Sequence, residues 1–161
     1  MRPEKSGLKI VQFSETADGY TMDSSGYPAY VAQVRHRVPA DALAFMSAPL
    51  HDAHRDERCP HDARLQKLVV LEFEEGELRA SGIEIHLAGA YGNRLLLSYS
   101  DVQSYSVEKT TSEWPAGDRS HGDWLIDEML VLDDDFLSHE IVFTHAVIRI
   151  KHRDLKYAVS P

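Results

Sequence analysis

His61-Asp62-Ala63-Arg64-Leu65 and His121-Gly122-Asp123-Trp124-Leu125 each open an apolar run, and the residues after the two runs also correspond. Leu65 to Phe73 and Trp124 to Leu132 are the two runs, closed by the acidic turns Glu74-Glu75-Gly76 and Asp133-Asp134-Asp135. A second β-like stretch comes next: Ile83, Ile85 and Leu87 alternate with Glu84 and His86, and Glu140 to Thr144 occupies the same place in the second pass. Alternation with a period of two is the mark of a half-buried strand. The third stretch ends on Leu95, Leu97, Tyr99, Asp101, Val102 in one pass and on Ile148, Ile150, His152, Asp154, Leu155 in the other. The offset is 60 residues at the starts and 53 at the endings, and the shortening falls in turns, where length changes cost least. Two readings are open: a duplicated unit, or two amphipathic meanders that look alike because all such meanders alternate.

Either reading gives the same architecture. A meander with one apolar face cannot hide that face alone, so the two must pack together or curl into one barrel. The expected fold is mainly β: an antiparallel β-sandwich or partly open barrel from two repeated β-meanders, with one short helix. The chain of 161 residues is expected to be a single domain. It divides into an N-terminal part (1–60), a first meander (61–109) and a second (121–160), with a polar connection over 110–122.

Before the first meander, Lys9 to Phe13 reads as a short strand closed by Asp18-Gly19, and Tyr30 to Val38 as another, with Tyr30, Ala32 and Val34 on one face. Pro39 to Met46 is the helix, with proline in its first turn followed by good helix formers. These N-terminal elements are expected to cover an open edge or end of the β structure.

The composition, 43% hydrophobic and 27% charged, is that of a globular protein. No stretch approaches the roughly 20 apolar residues of a membrane-crossing helix. With 17 Lys and Arg against 26 Asp and Glu, the net charge is −9. That balance argues against nucleic acid, whose phosphates require clustered basic residues, and allows a basic protein partner. A polar N-terminus and the single cysteine, Cys59, suggest a cytoplasmic setting. Exposed strands leave a homodimer open.

Two constellations offer chemistry. The segment from His51 to Asp62 holds His51, His54, Cys59 and His61 among four carboxylates, and these are ligand types that zinc prefers. Against this, Pro60 interrupts the segment, the spacing matches no standard finger, and Arg55, Arg58 and Arg64 supply ion-pair partners that would make it an ordinary solvated loop. The second constellation depends on the repeat. If the passes pair symmetrically, His61 with Asp62 and His121 with Asp123 face each other, and a histidine held by a carboxylate can do general acid–base work. The alternative is that each histidine caps a strand entry. Trp114, beside Pro115, is a candidate for partner binding, and Trp124 for the core. The chain carries no nucleophile elbow, phosphate-binding glycine loop or metalloprotease helix motif.

His61-Asp62-Ala63-Arg64-Leu65, Tyr99-Ser100-Asp101-Val102, His121-Gly122-Asp123-Trp124-Leu125-Ile126-Asp127-Glu128 and His139-Glu140-Ile141 together resemble small bacterial β-rich proteins. Some such proteins are similar in size and acidity to immunity proteins that neutralise toxins. The resemblance covers about residues 59–159 and leaves the N-terminal third unmatched. It implies a fold type more than an activity, and it transfers no site residue. The acidic charge, the lack of a catalytic motif and the compact β scaffold make the expected function a non-enzymatic protein-binding module, for example of immunity type, with a small metal-dependent or His/Asp acid–base hydrolase as the alternative.

Overall fold

The computed structural model describes residues 7–48, 53–110 and 118–161. The chain opens with a hairpin of β1 (Gln12–Thr16) and β2 (Gly19–Asp23). Two helices come next, α1 (Tyr27–Val34) and α2 (Ala40–Met46), joined by a single 3-10 turn over Arg35–Arg37. Eight strands make up the rest: β3 (Arg64–Glu75), β4 (Leu78–Ala88), β5 (Arg94–Ser100), β6 (Ser104–Lys109), β7 (Trp124–Val131), β8 (Leu137–Phe143), β9 (Ala146–His152) and β10 (Asp154–Ser160).

These eight strands form two open antiparallel sheets, in the orders β10-β5-β4-β3 and β6-β9-β8-β7. The arrangement is that of a β-sandwich. Within each four-stranded run, three strands stay together and the fourth crosses: β6 leaves the first run to pair with β9, and β10 leaves the second to pair with β5. Each sheet is therefore completed by a strand of the other run, which ties the two layers together. A bridge between Arg64 and Asp123 joins the layers again where β3 and β7 begin.

Period-two alternation fills the space between the sheets. Ile83, Ile85 and Leu87 of β4 and Leu95, Leu97 and Tyr99 of β5 point inward against Leu137, Ile141, Phe143, Ile148 and Ile150. At about 25 cal/mol per Å2, this apolar burial supplies the main driving force. Trp124 is in this core, as its strand pattern predicts.

The N-terminal third departs from its expected strand. Period-two reading predicts an extended Tyr30 to Val38, yet Tyr27–Val34 is helical. Tyr27 and Val31 are buried while Tyr30 and Val34 pack partly against the core, which is an i, i+3, i+4, i+7 stripe, and Pro28 sits in the first turn. Tyr30, Ala32 and Val34 satisfy a period of two by coincidence. The fold thus has two helices rather than one. The first strand lies over Gln12–Thr16 rather than Lys9 to Phe13, and β6 is a strand that the sequence pattern does not announce.

The helices and the N-terminal hairpin close what the sheets leave open. The Tyr27 hydroxyl accepts from Met129 N–H (3.1 Å) and donates to the Met129 carbonyl (2.9 Å), and the Tyr30 hydroxyl accepts from Val131 N–H (2.8 Å). Arg37 donates to the Leu132 carbonyl at 2.7 Å. The edge of β7 is thereby capped by side chains, which removes a template for pairing with another chain. At the opposite corner Ala42 N–H of α2 donates to Asp154 Oδ1 of β10.

On the outer face of the second sheet, Glu128 and Glu140 sit directly opposite each other, both buried. Like charges in that position repel. Glu128 offsets this by accepting from the backbone N–H groups of Lys9, Ile10 and Val11 (2.6–2.8 Å), and Glu140 by accepting from Gly7 N–H and from Arg149 Nε. The two carboxylates pin the N-terminal segment over Leu125, Val142 and Val147, where Leu8, Phe13 and Met22 cover them. Among the described residues, no helix is long and apolar enough to cross a membrane.

Candidate functional site

The two His-led entries meet. Asp62 N–H donates to the Trp124 carbonyl (2.9 Å) and Trp124 N–H to the Ala63 carbonyl (2.8 Å). Each histidine is followed by a residue with left-handed backbone, Asp62 at φ 63° and Gly122 at φ 80°. A Cβ added to Gly122 would lie 2.5 Å from Thr144 Cβ, so this position needs glycine for space as well as conformation.

Although the backbones meet, the side chains separate. The His61 ring lies against the Leu125 carbonyl, with Nδ1 at 3.0 Å, and its Nε2 is 3.4 Å from Asp62 Oδ1. Because the carbonyl can only accept, Nδ1 carries a proton and donates it, which makes His61 a cap on the entry of β7. His121 lies elsewhere: its carbonyl accepts from His145 N–H (2.9 Å), and burial, helped by Lys109, holds its pKa below the usual histidine value. Asp123 is raised, first by burial and then by the nearby Asp62 carboxylate, with Arg64 opposing. The carboxylates of the expected acid–base group therefore come together, whereas the two histidines have different neighbours.

Of the candidate zinc ligands, His51 lies outside the described residues, as does Trp114. His54 and His61 stack face to face, with ring centroids 4.0 Å apart and planes 8° from parallel. Stacked rings hold their in-plane lone pairs in nearly parallel planes instead of aiming them at a common tetrahedral centre. Cys59 is a buried thiol. Asp56 is held to a pKa of about 2 by Arg58, its bidentate partner. Among the described residues no group of three or more His, Cys, Asp or Glu side chains converges to hold a metal ion. Residues of the first sheet tie this loop down: Tyr91 donates to the His54 carbonyl, Asn93 to that of Glu57 and Tyr157 to that of Arg58.

The stacked pair borders a cavity of about 350 Å3 between α1, α2, the 54–61 loop and β7. Its walls include Val31, Met46, Trp124 and Ile126, and its polar lining includes Asp127, His54 and His61. Asp127 is the outer end of a buried chain of hydrogen bonds. Asp127 Oδ2 lies 2.8 Å from His139 Nε2, and His139 Nδ1 lies 2.7 Å from the Tyr99 hydroxyl. The assignment that satisfies every atom has Tyr99 donating to Nδ1 and Nε2–H donating to Asp127. Burial, and then the Asp127 charge, push the Tyr99 pKa well above the ordinary tyrosine value, so the donor proton is retained. His152 packs edge-on against Tyr99, and burial, reinforced by His139, lowers its pKa to about 3.

Asp127, His139 and Tyr99 are not among the residues that sequence reasoning singles out for chemistry. A signal exists: Asp127 and Met129 alternate on β7, and His139 stands between Leu137 and Ile141 on β8, so both polar residues occupy core positions of period-two strands.

A third feature is a surface. β4 pairs with β5 only from Ile83 onward, so β3 and β4 run on as a two-stranded hairpin. Its tip, Glu72-Phe73-Glu74-Glu75-Gly76-Glu77-Leu78, is exposed throughout, with Phe73 at 53% and Leu78 at 75% exposure. Val70, 43% exposed, pairs with Ile83 and lies on the opposite face of β3 from Phe73.

No protein-family model matches the chain, and no curated protein matches it either.

Proposed function

We propose that this chain is a non-enzymatic, cytoplasmic protein-binding module of immunity or accessory type, whose partner is a basic protein. The observation that carries this reading is the projecting β3–β4 hairpin. It sets Phe73 and Leu78 in solvent on one face of a tip that also carries Glu72, Glu74, Glu75 and Glu77, against which only Arg79 forms an ion pair among the described residues, with Glu74 at 3.1 Å. Apolar anchors ringed by one sign of charge suit a partner that is steered electrostatically and then held by buried contacts. The net charge of −9 extends the same field beyond the hairpin.

The test compares wild type with a Glu72→Lys/Glu74→Lys/Phe73→Ser variant as bait in extracts of the native host. A basic protein recovered in stoichiometric amount by wild type, released by about 0.5 M salt and lost by the variant is the expected result. Equal recovery by both baits, or none by wild type at low salt, refutes the reading. Light scattering on the purified chain separates this from a homodimer, in which the same hairpin would be occupied by a second copy.

A further inference from the structure

Phe73 and Val70 are both exposed, yet they lie on opposite faces of β3. Val70 stands across from the inward-facing Ile83, and Phe73 across from Ala80, with its ring against Gly82. A partner docked on either face of the hairpin would cover one of these side chains and leave the other in water. A strand laid along the edge of β3 would reach both, because its own side chains alternate between the two faces.

That edge is open. β3, with twelve residues, is the longest of the four strands that border the two sheets. Among the described residues its outer side has one backbone partner, the bridge from Arg64 to Asp123. From Leu68 to Glu75 it pairs with β4 without a bulge, so one residue in two aims its N–H and C=O away from the sheet. The edge of β7 shows the contrast, capped by Tyr27, Tyr30 and Arg37. Over the same stretch of β3 there is no proline, and Lys67, the nearest lysine, precedes it.

The two faces of the edge call for different side chains. Glu72 and Glu74 share the face of Val70, whereas Leu71 shares the face of Phe73. Glu74 meets Arg79 in an ion pair exposed at both ends, which is worth little. A segment that suits both faces alternates basic and apolar residues. Its lysines would lie beside Glu72 and Glu74 with their stems over Val70, and its apolar side chains beside Leu71 and Phe73. A second copy of this chain would instead bring its own net charge of −9 toward these acids.

We infer that the partner is held by strand addition: an extended segment of alternating basic and apolar residues pairs with the outer edge of β3 between Leu68 and Glu75. The inference rests on the protein-binding reading of the hairpin and specifies how the partner is gripped.

The probe is the peptide acetyl-Lys-Val-Lys-Val-Lys-Val-Lys-amide. A second peptide of the same sequence, N-methylated at every internal amide, keeps the charge and side chains and loses the N–H donors. Isothermal titration on the full chain should show saturable binding of the first peptide. Binding should be at least tenfold weaker for the N-methylated peptide, and at least tenfold weaker in Glu72→Lys/Glu74→Lys. Amide hydrogen exchange followed by NMR locates the contact. The alternate amides of Leu68 to Glu75 that exchange fast in the free chain should slow at least tenfold with peptide bound, and those already bonded to β4 should not change. Unchanged exchange at the fast set, equal affinity for the N-methylated peptide, undiminished binding in the lysine variant, or no saturable binding of the first peptide overturns the proposal. So does concentration-dependent protection of the same amides in the chain alone, which makes a second copy the occupant. The hairpin reading fails separately: it falls when host extract yields no basic protein, and it stands when that partner is recovered yet leaves the fast amides unprotected.

Discussion

Replacing Tyr27 with phenylalanine removes one oxygen atom and should cost about 2–4 kcal/mol. The hydroxyl makes two hydrogen bonds to a single residue of β7, accepting from Met129 N–H and donating to its carbonyl, and both contacts are buried. The ring stays in place after the change, so apolar packing is conserved. What is lost is the satisfaction of two backbone groups at the edge of a sheet, where no neighbouring strand can take over. A buried polar group left without a partner costs about 1–3 kcal/mol, and two of them sharing one relaxed edge give the range above. For a domain of this size that corresponds to a fall in Tm of roughly 5–15 °C. Urea denaturation followed by circular dichroism measures it, with an unchanged m-value showing that the two-state comparison is sound. Tyr30→Phe is the internal control. It removes a single, partly buried bond to Val131 N–H and should cost about 1 kcal/mol. A Tyr27→Phe loss below about 0.5 kcal/mol, or one smaller than that of Tyr30→Phe, would refute the claim that α1 stabilises the fold by capping the β7 edge.

Two further perturbations probe the entries and the buried chain. Gly122→Ala meets both a left-handed backbone and the Thr144 side chain, so it should destabilise by at least about 2 kcal/mol, whereas Asp62→Gly at the matching position should change stability by only a few tenths, both read by urea midpoint. His152 is held neutral in the folded protein, with a pKa of about 3 against an ordinary 6.5. Above pH 6.5 neither folded nor unfolded chain protonates it, and below that the unfolded chain gains a proton that the folded one refuses. Stability therefore falls as pH drops from 6.5 toward 3, by about 2 kcal/mol at pH 5 from this group. His152→Leu should lose that part of the difference between pH 8 and pH 5, and an unchanged difference would show that His152 is not the titrating group.

Legibility in the sequence depends on how local the determining physics is. β3, β4, β5, β7, β8, β9 and β10 can be read because alternation and turn residues act over a few positions. The helix α1 is hidden because Tyr30, Ala32 and Val34 satisfy a period of two over the same residues in which Tyr27, Tyr30, Val31 and Val34 satisfy a helical one. Only contact with β7 decides between the periods, since the Tyr27 and Tyr30 hydroxyls bond to that strand's backbone. β6 is short and mostly exposed, and its place beside β9 comes from a crossover that no local pattern encodes.

The site divides in the same way. Sequence puts His61 and His121 at matching entries, and the backbones there do meet. Where the rings point depends on partners far along the chain: the Leu125 carbonyl for His61, and the surroundings of Lys109 for His121. The Asp127–His139–Tyr99 chain draws its three residues from β7, β8 and β5, and so from both sheets. By itself, then, the sequence determined a mainly β fold of antiparallel strands, packed as a sandwich or a partly open barrel, because each strand has one face to bury, and the two open sheets of the structure select the sandwich. Tertiary structure alone decided which strands exchange between the layers, which polar residues become core, and that a carboxylate faces a cavity, because each of these depends on residues brought together across the two sheets.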